Sequence, residues 1–592
     1  MTDPLDFDGG ACERHDGRPD RWVNRTEDVM INHDAISRRD TLLGATTLVA
    51  LGLTSIVRSA PARAQAPTVG VGIAPSASAL PNMPKRNPWL ADSVYPQSHF
   101  NPGATDSVLH AGPARGRPLT VADVKTVPLV FVSNPTVKKV GNETIIIAAT
   151  DTEIKKINAT GTSLQLVSSI PVPGLEAVAA KGTPAAIASV LAEADAAARA
   201  KDESKIVALA KTMAGLGFSY ETIPYGVYNL IDRDGFNYAA YDLKIVKTTD
   251  DNDPKAPLRV AKVKDFTADI PAELKQSITS FTALNMTYDG YIAAAARGGM
   301  LLVDRDLNTK GIIPFAGEAV ENGICVDETS VYVVTSKRML KIVWTGSKLS
   351  YDEADGGWQS EYNTMTHEEA VAAGALTQSG GSGTTPTLMG FGDDPDKLVI
   401  IADGDRDGTH VVAFWRDKIP DGFQQKPGTK SRRVADQIRT DISKVTIEPS
   451  PNVLGYGTMV LNCRYPQPVP GTIYENAMTA GLTRPAPTGA QKFTWNTGTK
   501  SFEKTWINRE VDNSDVMVPV VSAATNMVYA ATKTNGRYEY VGLDWDTGEI
   551  KARWPFPDDS RQWNAYGGIT TILENGDLLI GGLFALKRVT VG

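Results

Sequence analysis

From about Val127 to the end, the chain alternates short apolar runs with polar turns. Thr144-Ile145-Ile146-Ile147-Ala148-Ala149 precedes Ile157-Asn158-Ala159-Thr160-Gly161. Val331-Tyr332-Val333-Val334-Thr335 precedes Lys341-Ile342-Val343-Trp344-Thr345-Gly346. Met527-Val528-Tyr529-Ala530-Ala531-Thr532 precedes Leu543-Asp544-Trp545-Asp546-Thr547-Gly548. Trp495-Asn496-Thr497-Gly498 repeats the turn, and Leu307-Asn308-Thr309-Lys310-Gly311 repeats it loosely. Val, Ile, Tyr and Thr suit a pleated, half-buried surface, and Asn or Asp with Thr-Gly supplies the backbone angles that hairpins need. The pattern predicts strands with cores near residues 144–165, 236–247, 286–314, 328–350, 397–416, 457–507, 527–555 and 570–590.

A repeat of roughly 40–50 residues built from antiparallel strands predicts a radial array. One small sheet cannot bury both faces, whereas a ring of them can. The fold expected is all-β: a β-propeller of seven or eight blades over residues 126–592, with Asp577–Phe584 helping to close the ring. A β-sandwich is the competing architecture. Two segments break the pattern. Residues 65–125, rich in Pro, Ala, Ser and Asn, read as an extended arm that wraps the propeller or covers one mouth. Residues 183–214 read as a helical hairpin inserted between blades: Thr183 is a good N-cap, Pro184 suits the first turn, and Gly215 and Gly217 end it. A further short helix is expected over 366–376.

The 52 glycines and 36 prolines fit a chain with many tight turns. Lys and Arg number 60 against 68 Asp and Glu, a net charge of −8 with no basic stripe, so nucleic acid is not an expected partner. The absence of any C-x-x-C or C-x-x-C-H argues against thiol-held clusters and c-type haem. Cys325 and Cys463 either pair in an oxidising compartment or remain two buried thiols.

Ser37-Arg38-Arg39-Asp40-Thr41-Leu42-Leu43, with a diluted apolar run to Val57, resembles a twin-arginine export signal. The run is too short to span a bilayer. Ala62-Arg63-Ala64 offers a cleavage site with Gln65 as the new N-terminus, and Met30 is an alternative start. The resemblance implies residues 1–64 as signal peptide, the twin-arginine machinery as a partner, and a periplasmic or secreted protein without stable membrane insertion. An uncleaved anchor is the alternative.

The candidate chemistry is acidic. Asp232-Arg233-Asp234, Asp304-Arg305-Asp306 and Asp405-Arg406-Asp407 all lie at edges of predicted strands. Asp403-Gly404-Asp405-Arg406-Asp407-Gly408 matches the first half of a calcium loop, but its twelfth position is Phe414. Clustered carboxylate oxygens attract hard cations, so Asp232, Asp234, Asp304, Asp306, Asp403, Asp405 and Asp407 are the candidate ligands of a divalent metal, calcium first. Aspartates at such turns also cap backbone N–H groups, which needs no ion. His99, His110, His367 and His410 are the candidate proton carriers. Gly380–Thr387 is neither a nucleophile elbow nor a phosphate loop.

Gly542-Leu543-Asp544-Trp545-Asp546-Thr547-Gly548 with Trp554 is similar to the docking pattern A-x-D-x-x-T-G-x-x-x-W, the tryptophan falling two residues late. The chain thus resembles quinoprotein-like and NHL-type propellers at superfamily level, though without an adjacent cysteine pair. The resemblance implies a propeller and, as one option, a quinone. The expected function is an exported enzyme acting on a small organic molecule in the central channel, as a metal-assisted hydrolase or lyase. A quinoprotein-like oxidoreductase and a non-catalytic binding propeller are the alternatives.

Overall fold

A computed structural model describes residues 83–219, 226–376, 379–444 and 447–591. The export-signal residues and the cleavage site lie outside them. The strands form eight sheets. Seven follow in chain order, with first strands at Thr136–Val140, Asn229–Ile231, Phe281–Met286, Cys325–Val326, Thr387–Met389, Asn452–Leu454 and Val520–Ser522; these open blades 1 to 7. Blade 8 joins Thr570–Ile572, Leu578–Ile580 and Gly582–Val589 to Val124–Val132 from the other end of the chain. That antiparallel pairing of the last strand with the first long one closes the ring, giving an eight-bladed β-propeller.

Within each blade the first strand is the innermost. The short first strands of blades 2, 5, 6, 7 and 8 are buried throughout, whereas the outermost strands Gln165–Pro171 and Arg259–Asp265 are largely exposed. Because the strands run up and down, the turns between strands 1 and 2 and between strands 3 and 4 share one rim. The turns between strands 2 and 3 and the blade-to-blade connectors share the other. We call these the turn rim and the connector rim.

A repeated latch ties neighbouring blades. A cation on the third strand donates to carbonyls in the strand 3–4 turn of the following blade. Lys156 reaches the Asp253 and Ala256 carbonyls at 2.5 and 2.8 Å, Lys247 that of Arg305 at 2.8 Å, and Lys492 that of Trp545 at 2.7 Å. Arg588 reaches Ala159 and Ser163 at 2.6 and 2.7 Å across the ring closure. Tryptophans on fourth strands add to these contacts: Trp358 Nε1 donates to the Arg416 carbonyl between blades 4 and 5, and Trp506 Nε1 to that of Trp545 beside Lys492, each at 2.9 Å. Turn carbonyls cannot be satisfied within their own blade, so burial of the blade interface demands such donors.

The helical insertion consists of Pro184–Ala200 and Glu203–Gly215. Thr183 Oγ1 caps the first helix through Ala186 N, and Asp202 caps the second through Lys205 N. Ile187, Val190, Ile206, Leu209 and Met213 pack with Phe131, Tyr474 and Tyr566 on the connector rim. An Arg484–Glu203 pair at 2.6 Å pins the hairpin to blade 6. The short helix His367–Ala373 has Thr366 and Glu369 as a capping box. The helix Ile473–Thr479 was not foreseen; it lies in a long strand 2–3 connection of blade 6. Cys325 and Cys463 are both buried and are not joined in a disulfide.

Over residues 83–109 the arm threads the axis, instead of wrapping the ring or covering a mouth. This part begins at the turn rim, where Arg233 N donates to the Trp89 carbonyl at 2.8 Å. It climbs beside blades 1 and 2, whose Val137 and Ile231 amides bond the Tyr95 and Pro96 carbonyls. It turns over between His99 and Asp106 and descends again. On the way the carbonyls of Pro102, Gly103, Thr105 and Asp106 accept from Val326, Leu388, Val453 and Val521, one residue from each of blades 4 to 7. Inner strands leave unpaired N–H groups facing the axis, and the arm satisfies them as a ligand would. His99, Phe100, Ala104 and Asp106 hold positive φ of 62°, 69°, 53° and 50°, strain that these bonds over-determine.

Candidate functional site

The central channel, expected to be the site, is therefore filled by the chain itself. At the apex of the plug His99 Nδ1 lies 2.9 and 3.0 Å from the two Asp106 oxygens, and its Nε2 lies 3.2 Å from Thr385 Oγ1. All three are buried. Burial pushes the Asp106 carboxyl up despite the opposing pull of His99. The relay continues through Asn322, which takes bonds from Thr385 and from the Tyr228 hydroxyl. With no exposed surface on Thr385, this relay locks the plug to blades 2, 4 and 5.

The seven aspartates do not make one acidic ring. Asp232 and Asp234 sit in the strand 1–2 turn of blade 2, and Asp304 and Asp306 in the strand 3–4 turn of blade 3, both on the turn rim. Arg305 crosses between the blades and pairs with Asp232 at 3.0 Å and with Asp234 at 2.5 Å. Asp232 Oδ1 also accepts from Asp234 N and Phe236 N, and Asp304 Oδ1 from Asp306 N and Asn308 N. Burial raises the Asp232 carboxyl, with the Arg305 charge opposing it. Asp232 and Asp304 are turn caps, the Arg305 guanidinium stands between Asp232 and Asp234, and Asp304 pairs with Lys310 at 3.4 Å, so neither turn is a good place for a cation. The histidines do not converge either. His110 lies where the arm leaves the channel, with Nε2 2.7 Å from the Ile572 carbonyl, and burial lowers its imidazole. His367 is exposed at the first turn of its helix.

The third acidic turn differs. It joins strands 2 and 3 of blade 5 and so lies on the connector rim. Asp403 is buried at the end of its strand; its Oδ1 accepts from His410 N at 2.6 Å and its Oδ2 lies 3.0 Å from His410 Nδ1. Asp405 Oδ2 lies 3.8 Å from the same nitrogen and accepts from Asn363 Nδ2 at 2.8 Å. One donor atom from each of Asp403, Asp405 and His410 falls within 4.8 Å of the other two. Atoms bound to one ion at about 2.1 Å stand roughly 3–4 Å apart, so the spacing fits a single divalent metal. Asn363 becomes a fourth oxygen donor if its amide is turned over. An imidazole in the set suits manganese, zinc or iron better than calcium, which favours oxygen alone. Exposed Asp407 stands outside this group.

The local electrostatics favour such a charge. Burial raises the Asp403 carboxyl, and its bonds to His410 offset that only in part. Burial pulls His410 down, but the bond to Asp403 and the charges of Asp403 and Asp405 more than compensate and raise the imidazole. Further acid lies nearby on the connectors of the same rim. Burial and the neighbouring Glu321 push the Glu448 carboxyl up to about 8. Glu321, Glu448, Asn363 and Tyr228 escaped the sequence reading, because each sits in a connector with no repeat to mark it.

The tryptophans behind the quinoprotein resemblance serve blade docking. Trp545 packs under Lys492, Trp506 bonds its carbonyl, and Trp554 donates to the Arg115 carbonyl of the arm at 2.9 Å.

No family model matches the chain. A protein of Archaeoglobus fulgidus described as uncharacterized is 28% identical over 331 residues, 52% of this chain and 60% of that protein. The match thus spans less than two thirds of that relative. Among solved structures, the quinohemoprotein alcohol dehydrogenase of Comamonas testosteroni gives a TM-score of 0.47 at 10% identity, covering 86% of this chain and 81% of that one. A europium-containing methanol dehydrogenase gives 0.46 at 8% identity, covering 83% and 90%. The Cps50 propeller domain of Myceliophteria thermophila gives 0.33 at 10% identity, covering 60% and 93%. What the chain's own sheets establish is an eight-bladed β-propeller fold.

Proposed function

We propose that the protein is an exported, periplasmic enzyme that acts on a small organic molecule at the connector rim of blade 5, as a metal-assisted hydrolase or lyase. The observation that carries this reading is the convergence of Asp403, Asp405 and His410 on one point, with Asp403 buried beneath. A divalent cation held there would polarise a substrate oxygen and favour loss of a proton from bound water. The chain's own contribution is positional. Asp403 Oδ1 fixes the backbone of His410 by accepting from its N–H at 2.6 Å, and the Asp405–Asn363 bond holds the second carboxylate in place. The site lies away from the axis, because the axis is spent on the plug.

The test is elemental analysis of the full-length exported protein, with and without His410→Ala. One equivalent of manganese, zinc or iron, lost in the variant, supports the reading. A metal-free protein that hydrolyses nothing overturns it. A visible quinone band with dye-linked alcohol oxidation would instead establish the oxidoreductase alternative.

A further inference from the structure

A second concavity on the connector rim lies between blades 5 and 6. It has a volume of about 730 Å³ and is bounded by Arg439, the connector 440–444, Arg464, Pro466 and Arg509. Its charge is one-sided. Arg439, Lys444, Arg464 and Arg509 face a single acid, Asp441. That acid is already engaged, by Lys504 at 2.7 Å and by Gln491 Nε2 at 2.9 Å. Among the described residues no ion pair neutralises any of the four cations. This excess of positive charge stands in a protein whose net charge is −8.

The floor is rigid. Gln491 Oε1 accepts from Asp441 N, Thr440 Oγ1 donates to the Ser443 carbonyl, and Asn462 Nδ2 donates to that of Thr488. Gly489, at φ 128°, lets the third strand pass close beneath Ile442. On the blade 5 side, Arg439 lies over Gly408, where a Cβ would come within 2.6 Å of its Nε. The cations thus project from a fixed frame. A concave wall of one sign focuses its field on the enclosed space, and guanidinium forks match carboxylate, phosphate and sulfate oxygens. The volume lies within the range of small-molecule sites.

We propose that this cleft is a binding site for a small organic polyanion, one carrying two or more carboxylate, phosphate or sulfate groups. The inference is independent of the metal-centre reading. It is tested by titration calorimetry of the full chain with benzene-1,3,5-tricarboxylate, whose carboxylates are too far apart to chelate one ion, and with benzoate as the monoanion. The tricarboxylate should bind saturably, one per chain, at least about tenfold tighter than benzoate, and weaken as salt rises. The double variant Arg464→Ala/Arg509→Ala, and separately Lys444→Glu, should each lose most of that binding while melting as the parent does. Metal-stripped protein should bind unchanged. No saturable binding, equal binding by both variants, or binding that vanishes with the metal would each overturn the proposal.

Discussion

The first and third acidic turns share the tripeptide Asp-Arg-Asp and little else. In blade 2, Arg233 stacks on Trp89 with its guanidinium carbon 3.7 Å from the ring centre, and Arg305 of blade 3 enters between Asp232 and Asp234. In blade 5, Arg406 turns away to Glu369 of a neighbouring helix at 3.0 Å, and a histidine takes the place a guanidinium fills elsewhere. A guanidinium always carries its charge, so it neutralises the carboxylates permanently. An imidazole can lose its proton, so it can become a ligand beside them. The motif therefore says where carboxylates gather, and the intruding neighbour decides what they can hold.

The comparison breaks or sharpens in a definite order. The largest effect is expected from His410→Ala, which should lower divalent-metal affinity by at least about 100-fold, while Asp304→Ala leaves it unchanged. Equilibrium dialysis of both variants checks this, and equal loss in the two would erase the distinction. Next, Arg305→Ala strands the buried Asp232 carboxylate and should cost about 3 kcal/mol in denaturant unfolding at pH 7. Burial already holds the Asp232 carboxyl above its usual range and loss of Arg305 raises it further, so the deficit should shrink as pH falls toward about 4, because a protonated carboxyl needs no cation.

Glu448 extends the comparison to a buried acid whose neighbour is another carboxylate, Glu321. Its folded value of about 8 lies above its unfolded one, so the native state binds the extra proton and stability should fall as pH rises from about 4.5 through 8. Glu448→Gln should flatten that slope and gain roughly 2 kcal/mol at pH 9, with little change at pH 4. Paired melts at the two pH values measure it. The smallest effect belongs to Asp304→Ala, a lost turn cap worth about 1 kcal/mol, read from the shift in urea midpoint.

Much of the ring was readable because its turns repeat. The Thr-Gly turns place strand ends, and the apolar runs between them have the length of blade strands. The helical hairpin was readable for a different reason: Thr183 and Pro184 begin it with strictly local chemistry. The latches left a faint trace, a cation set among apolar residues of a third strand, as at Lys156, Lys341 and Lys492. Their meaning depends on carbonyls roughly 50–100 residues away, so no local pattern could supply it. The arm's path left no trace at all. Its residues bond through backbone carbonyls, which every sequence possesses.

The sequence alone settled the class of fold, the closing of strands into repeating sheets and the places where carboxylates collect, because strand, turn and cap preferences act over a few neighbouring residues. Only the tertiary structure decided that the chain fills its own axis, that Arg305 of one acidic turn enters another, and that Asp403, Asp405 and His410 share one point. Those outcomes rest on which distant groups meet after burial, and burial is a property of the whole ring.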